Sequence, residues 1–189
     1  MAAYLRDGTR YIVRKNMQDI RVISDIYMNK PYSRFLPVLR EGGTVIDIGA
    51  NIGVFSILAA KQNKSVKVYA YEPFKDNYSI LIKNASINNL PNQINSFQMG
   101  VADKKGTRKL FIDSENSGGH TMYGNGEEIS IKVCTLNDIF DKNKITSCDF
   151  LKIDCEGAEF EILYSTPQSV FNKIKTISLE FHEHEKDTA

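Results

Sequence analysis

From Thr44 onward, short apolar runs rich in β-branched residues alternate with stretches of helical periodicity, and that alternation admits few folds. Thr44-Val45-Ile46-Asp47-Ile48 ends at Gly49 and reads as a buried strand, with Val54 to Lys61 following as a helix. Val66 to Tyr71 is a second strand, and Asp76 to Ile87 a second helix with Tyr78, Leu81, Ile82 and Ala85 on one face. Ile94 to Val101 is expected as a third strand. Phe150 to Ile153, Ala158 to Tyr164 and Thr176 to His182 add a strand, a helix and a last strand. Leu110-Phe111-Ile112 and Ile129 to Val133 fit an antiparallel pair around a Gly-rich loop. Strands and helices alternating in this way imply right-handed crossovers and a sheet covered on both faces. The fold class is α/β: a Rossmann-like, mostly parallel, doubly wound sheet.

The first forty residues have a different texture. Tyr11-Ile12-Val13 follows the turn signal Asp7-Gly8 and predicts a small hairpin. Ile20, Ile23, Ile26 and Tyr27 then recur at helical spacing, and Pro31 closes that segment. The chain therefore divides into an N-terminal hairpin and helix cap, 1–43, and a main domain, 44–189. Few residues follow His182, so the sheet is expected to stop after its fifth core strand with C-terminal strands missing. An open edge is normally covered or paired, and a homodimer through the last strand would complete it.

At 189 residues the chain is the size of one domain. Its 42% hydrophobic and 25% charged residues are ordinary for a globular protein. A net charge of +1 provides no bulk field for nucleic acid or an anionic membrane, so neither is expected as a partner. No apolar run approaches the ~18 residues of a membrane span. Cys134, Cys148 and Cys155 lack metal-ligand spacing and read as reduced thiols of a cytoplasmic protein.

The first chemical signal is Asp47-Ile48-Gly49-Ala50-Asn51-Ile52-Gly53, between the first strand and the first helix. Glycines there permit a tight turn and bring backbone N–H groups close to a ligand. Glu72 ends the second strand, where an acid accepts the two ribose hydroxyl protons. Together they describe a nucleoside pocket at the carboxyl ends of the strands. Asn51 stands where a dinucleotide fingerprint needs its second glycine, which disfavours NAD.

Two later strand ends carry candidates for the chemistry. The period of two puts Lys152 and Asp154 on one face, and Ser178, Glu180 and His182 on the polar face of the last strand. An ion pair of Lys152 with Asp154, Glu156 or Glu180 is the structural alternative. Glu156 and Glu159 flank Gly157 at a helix start, where acids also serve the helix dipole. His182 suits a general base by its intrinsic pKa, although beside His184 a solvated imidazole is equally natural. Asp154, Glu180 and His182 could instead hold Mg²⁺ or another divalent ion that orients a diol, but nothing in the spacing demands a metal. The loop Asn116-Ser117-Gly118-Gly119-His120-Thr121 could fold over a ligand or be an ordinary hairpin connection, while Tyr27 and Tyr32 read as packing residues before pocket-lining ones.

Val45 to Gly53, Tyr71-Glu72-Pro73 and Asp149-Phe150-Leu151-Lys152-Ile153-Asp154-Cys155-Glu156-Gly157-Ala158-Glu159 together resemble the FkbM family of S-adenosylmethionine-dependent methyltransferases. Thr135-Leu136-Asn137-Asp138 is similar to that family's Thr-Leu-Asp-Asp segment, with Asn137 departing from it. The resemblance runs from about Thr44 to His182. It implies a class I methyltransferase fold, S-adenosylmethionine as cofactor, and methylation of a hydroxyl oxygen on a small molecule, sugar or lipid-linked glycan. It would place Gly49, Ala50, Asn51 and Gly53 around the cofactor's amino-acid part, with Asp47 holding its ammonium group directly or through water. Glu72 would take the ribose, Pro73 would stand beside it, and Val101, Ala102 and Asp103 would border the adenine, with a simple turn role the equal alternative for Asp103. From the strand-end candidates read above, Asp154, Lys152, Glu180 and His182 are the expected catalytic group. The alternatives are an inactive or incomplete cofactor-binding module and a nucleic-acid methyltransferase; the latter is disfavoured by neutral charge and by the lack of a Pro-Pro-aromatic run after Asp154.

Overall fold

The computed structural model describes residues 1–15, 18–29, 32, 36–113 and 119–182. Its centre is a five-stranded parallel sheet of β3 (Gly43–Ile48), β4 (Val66–Tyr71), β5 (Ile94–Phe97), β9 (Phe150–Ile153) and β10 (Ile177–Leu179), in the order β10-β9-β3-β4-β5. The order turns back on either side of β3, and the crevice lies where the chain diverges from it.

Alternation along the strands divides the core. Val45, Val68, Ala70 and Phe150 face one side and pack with Phe55 and Ile57 of α2 (Val54–Ala60) and Leu81 of α3 (Lys75–Ile87). Ile46, Ile48, Leu151 and Ile153 face the other. They meet Ile139 and Phe140 of α4 (Leu136–Lys142), Ile162 of α5 (Glu159–Ser165) and Val170 of α6 (Gln168–Phe171). The hairpin of β1 (Ala2–Tyr4) and β2 (Arg10–Ile12), with α1 (Asp19–Ser24) and a π-helical turn at Asp25–Asn29, contributes Tyr11, Val13, Ile23 and Ile26 to the first of these layers. The N-terminal segment thus shares a core with the sheet.

Several expectations change. The third strand divides: β5 stays in the main sheet, whereas β6 (Gly100–Val101) pairs with β8 (Glu128–Cys134) in a second sheet completed by β7 (Gly106–Phe111). A turn closed by Met99 N–H on the Phe97 carbonyl separates the two. The last strand ends at Leu179. Its ladder closes with Glu180 N–H on Ile153 O, because β9 stops there and offers no further carbonyls. Ile82 is 45% exposed; the buried face of α3 carries Asn77, Ile80, Leu81, Asn84 and Ala85. Asn84 is tolerated there because its amide bonds the Ile52 carbonyl and the Ile12 N–H. Ile20 points outward, 50% exposed, and Pro31 lies outside the described residues. The helix α4 was visible only as a motif. Thr135 and Asp138 form its capping box, each side chain bonding the other's backbone N–H at 3.0 and 3.1 Å.

Candidate functional site

The loop after β3 is drawn onto β4, with Gly49 N–H and Ala50 N–H both donating to the Tyr71 carbonyl. Gly49 has φ +74°, and a Cβ there would fall 1.7 Å from the Asp154 carbonyl oxygen, so the crossing of β3's end over β9's end admits only glycine. Asn51 takes a left-handed conformation (φ +51°) and fixes it by accepting from Ile52 N–H. The next N–H back, that of Asn51, donates to Glu72 Oε2 at 2.8 Å, and Phe74 N–H donates to Oε1 at 2.9 Å. Burial pushes the Glu72 carboxyl up to about 7 despite these bonds.

Lys152 and Asp47 are register partners across β9 and β3, which explains the ion pair beneath this loop. Lys152 Nζ lies 3.2 Å from Asp47 and 3.5 Å from Asp154, and donates to the Gly49 carbonyl at 3.1 Å. Burial alone would lower its pKa. The two carboxylates overcome this and hold the ammonium charged well above the ordinary lysine range. Asp47 uses its other oxygen to accept from Ser56 Oγ at 2.6 Å.

Beyond Asp154 the chain turns sharply, with Glu156 at φ +57° and Gly157 at φ +114°. This turn gathers acids. His182 Nδ1 lies 3.0 Å from Glu159 Oε1 and its Nε2 lies 3.5 Å from Glu156. The Glu159 hydrogen bond, against the effect of burial, raises the imidazole pKa to about 9. Burial, with the neighbouring carboxylates of Asp154, Glu180 and Glu159, pushes Glu156 up to about 7 against the pull of His182.

These parts surround a cavity of about 230 Å³. Gly49, Ala50, Asn51 and Glu72 form its floor; Pro73, Val101, Leu110 and Met122 form an apolar end; Asp154, Glu156 and Glu180 form an acidic end. Arg21, Val22, Asp25 and Ile26 from the N-terminal segment close the side. His120 also lines it, its ring centroid 4.2 Å from that of Phe74 in a tilted contact, and accepts from Asp113 N–H through Nδ1. Burial depresses its pKa, ahead of the nearby Arg14 charge.

Of the residues singled out in the sequence, Gly49, Ala50, Asn51, Glu72, Pro73, Val101, Lys152, Asp154 and Glu180 come together here. His182 joins the acidic end from behind Glu156. Others sit elsewhere. Asp47 is wholly buried and committed to Lys152 and Ser56, so a direct contact with a ligand ammonium has no room. Gly53 (φ +85°) faces Leu81, which a Cβ would meet at 3.0 Å: its smallness serves the packing of α2 on α3. Ala102 is buried in the small sheet's core, and Asp103 pairs with Arg108 in the turn before β7. Lys152 is 2% exposed and fully engaged, which suits positioning Asp154 rather than acting on a substrate. Tyr32 packs on Phe55 and Tyr27 hydrogen-bonds Tyr11, as the packing reading expected. Asn116, Ser117, Gly118 and His184 lie outside the described residues. The α1 wall, Leu110 and Met122 were missed, because no local pattern marks residues that meet only through tertiary packing.

Comparison with known proteins bears on this site. Residues 47–188 match the model of the methyltransferase FkbM domain. The 31-O-demethyl-FK506 methyltransferase FkbM of Streptomyces tacrolimicus is 26% identical over 191 aligned residues, covering 84% of this chain and 73% of that protein. Methyltransferase sdnD of Sordaria araneosa is 22% identical, covering 74% of this chain and 66% of its own length. Among solved structures, the O-methyltransferase TomG from Streptomyces achromogenes, in complex with SAM, superposes with a TM-score of 0.49 at 9% identity, over 89% of this chain and 66% of that one. The chain thus spans about two thirds to three quarters of these proteins.

Proposed function

We propose, from the premise that this chain belongs to the methyltransferase FkbM family of S-adenosylmethionine-dependent enzymes, that it methylates a hydroxyl oxygen of a small molecule, sugar or lipid-linked glycan. The observation that carries this reading is one cavity joining a buried carboxylate, Glu72, to an acidic end at Asp154, Glu156 and Glu180. The residues fit the cofactor. A carboxylate offers about four acceptor sites, and Glu72 spends three on two backbone N–H groups and Asn77, which leaves capacity for a ribose hydroxyl. Pro73, Val101, Leu110 and Met122 provide apolar walls for a flat base. S-adenosylmethionine supplies, when bound, a methyl group activated by its sulfonium.

The protein's own contribution is alignment and proton acceptance. In-line displacement depends on holding nucleophile and methyl in register, and a hydroxyl nucleophile must lose its proton to a group within hydrogen-bond reach. The acidic end offers carboxylates for that proton, with Lys152 positioning Asp154 from below. The cap, 1–43, contributes the side wall and so takes part in acceptor choice. The hydroxyl preference is supported by the name of the FK506 relative, which acts on an O-demethyl compound.

Calorimetric titration tests the reading. S-adenosylhomocysteine and S-adenosylmethionine are expected to bind one per chain and NAD not at all; a folded protein that binds neither would refute it. Two further expectations belong to the same reading. Three free thiols suit the reducing cytoplasm. The strand β10 is the outermost of the sheet among the described residues, and an edge of that kind is a template for pairing, which supports a homodimer through it. Sedimentation velocity should then show a dimer that Leu179→Lys dissociates, and a monomer at all concentrations would exclude it.

A further inference from the structure

The geometry points to a divalent-cation site at the acidic end of the cavity, formed by Asp154, Glu180 and His182. One donor atom from each lies within 4.8 Å of the other two. Donors about 2.1–2.3 Å from a shared ion stand roughly 3–4.5 Å apart, so a few tenths of an ångström of closure completes the arrangement. Neighbouring strands set this spacing. Asp154 follows β9 and Glu180 follows β10, and the Glu180 N–H bond to Ile153 O at 3.0 Å holds the two ends together.

A second observation comes from behind the cluster. Glu159 is wholly buried, with one oxygen 3.0 Å from His182 Nδ1 and the other buried without a hydrogen-bond partner. A carboxylate on the far nitrogen is the usual support of a metal-binding histidine: it fixes the tautomer and makes the free nitrogen a better ligand. Here that nitrogen is Nε2, on the side of Glu156. A cation on Nε2 would also compensate the buried, half-satisfied Glu159 through the ring. The charges agree. Asp154, Glu159, Glu180 and His182 all act on Glu156, and Lys152, which pairs with Asp154, is shared with Asp47.

Two carboxylates with one imidazole favour Mn²⁺ or Zn²⁺ over Ca²⁺. Such an ion would take an acceptor oxygen as a further ligand and make its proton easier to remove. That role rests on the methyl-transfer reading; the binding of the ion does not.

The test is titration of the full chain with Mn²⁺, without nucleoside, followed by the electron paramagnetic resonance signal of the free ion. One Mn²⁺ per chain is expected, displaced by Zn²⁺. Affinity should fall at least about tenfold in Asp154→Asn and in Glu180→Gln, each checked for folding by circular dichroism, and be retained in Glu161→Gln. No uptake of Mn²⁺, with Zn²⁺ left entirely to a chromophoric chelator, would overturn the site, as would wild-type affinity in both variants. S-adenosylhomocysteine calorimetry on the same samples separates the two ideas: its binding without ion uptake overturns the cation site and leaves the methyltransferase reading standing. Ion uptake without nucleoside binding supports the site and refutes that reading.

Discussion

Replacing Lys152 by methionine should destabilise the protein by about 3–5 kcal/mol, the largest effect expected of any single substitution in this site. The ammonium sits between Asp47 and Asp154 inside an otherwise apolar layer, beside Phe55 and Phe150. Removing it leaves Asp47 buried and charged, with only Ser56 as a hydrogen-bond donor. The carboxylate must then be protonated or dragged toward water, and either route costs folding energy. The Gly49 carbonyl loses the Lys152 donor as well, and the Ile48 carbonyl keeps only Asp154 N–H, which loosens the loop. Urea denaturation followed by circular dichroism measures the loss through the midpoint at unchanged slope. The double variant Asp47→Asn, Lys152→Met keeps an acceptor for Ser56 without a buried charge and should recover most of the stability. If the single variant is as stable as the wild type, the pair does not carry the sheet's centre.

Glu72→Gln should weaken S-adenosylhomocysteine binding by about 10- to 100-fold, as expected for losing charge-assisted hydrogen bonds worth about 1.5–3 kcal/mol each. An amide keeps one acceptor for the loop N–H groups but presents donors where ribose hydroxyls also donate. The pH dependence sharpens the test. With the Glu72 carboxyl raised to about 7, the apo-protein holds it largely protonated at pH 6 and ionised at pH 8. The ionised form is the better hydroxyl acceptor, so wild-type affinity should rise from pH 6 to pH 8, while that of Glu72→Gln stays flat at this step. Stability runs the other way. Between about 4.5 and 7 the folded state binds the proton that the unfolded state has lost, so this group's contribution to stability falls as pH rises through that window. Equal calorimetric affinities for the two proteins at pH 8 would remove Glu72 from the ribose.

How much of this could be read beforehand depended on the range over which each signal acts. The strand at 43–48 and the glycine loop after it were legible because β-branched runs, glycine and a following helix act within a few residues. Glu72 was legible for the same reason: it stands at a strand's end in a pattern that local geometry enforces. Asp103 and Gly53 were harder to place because an acid in a turn or a glycine before a helix has several local uses. Only the presence of Arg108 and Leu81 decides between them.

By itself, then, the sequence determined the α/β class, the identity of the loop and the acids available at the strand ends, since periodicity and turn chemistry are local properties of the chain. Tertiary structure alone decided that Asp47 faces Lys152, that Glu159 stands behind His182, and that α1 walls the cavity. These pairings join residues 23 to 105 positions apart in sequence through strand register and layer packing. Such contacts arise when the sheet closes, and no window of neighbouring residues contains them.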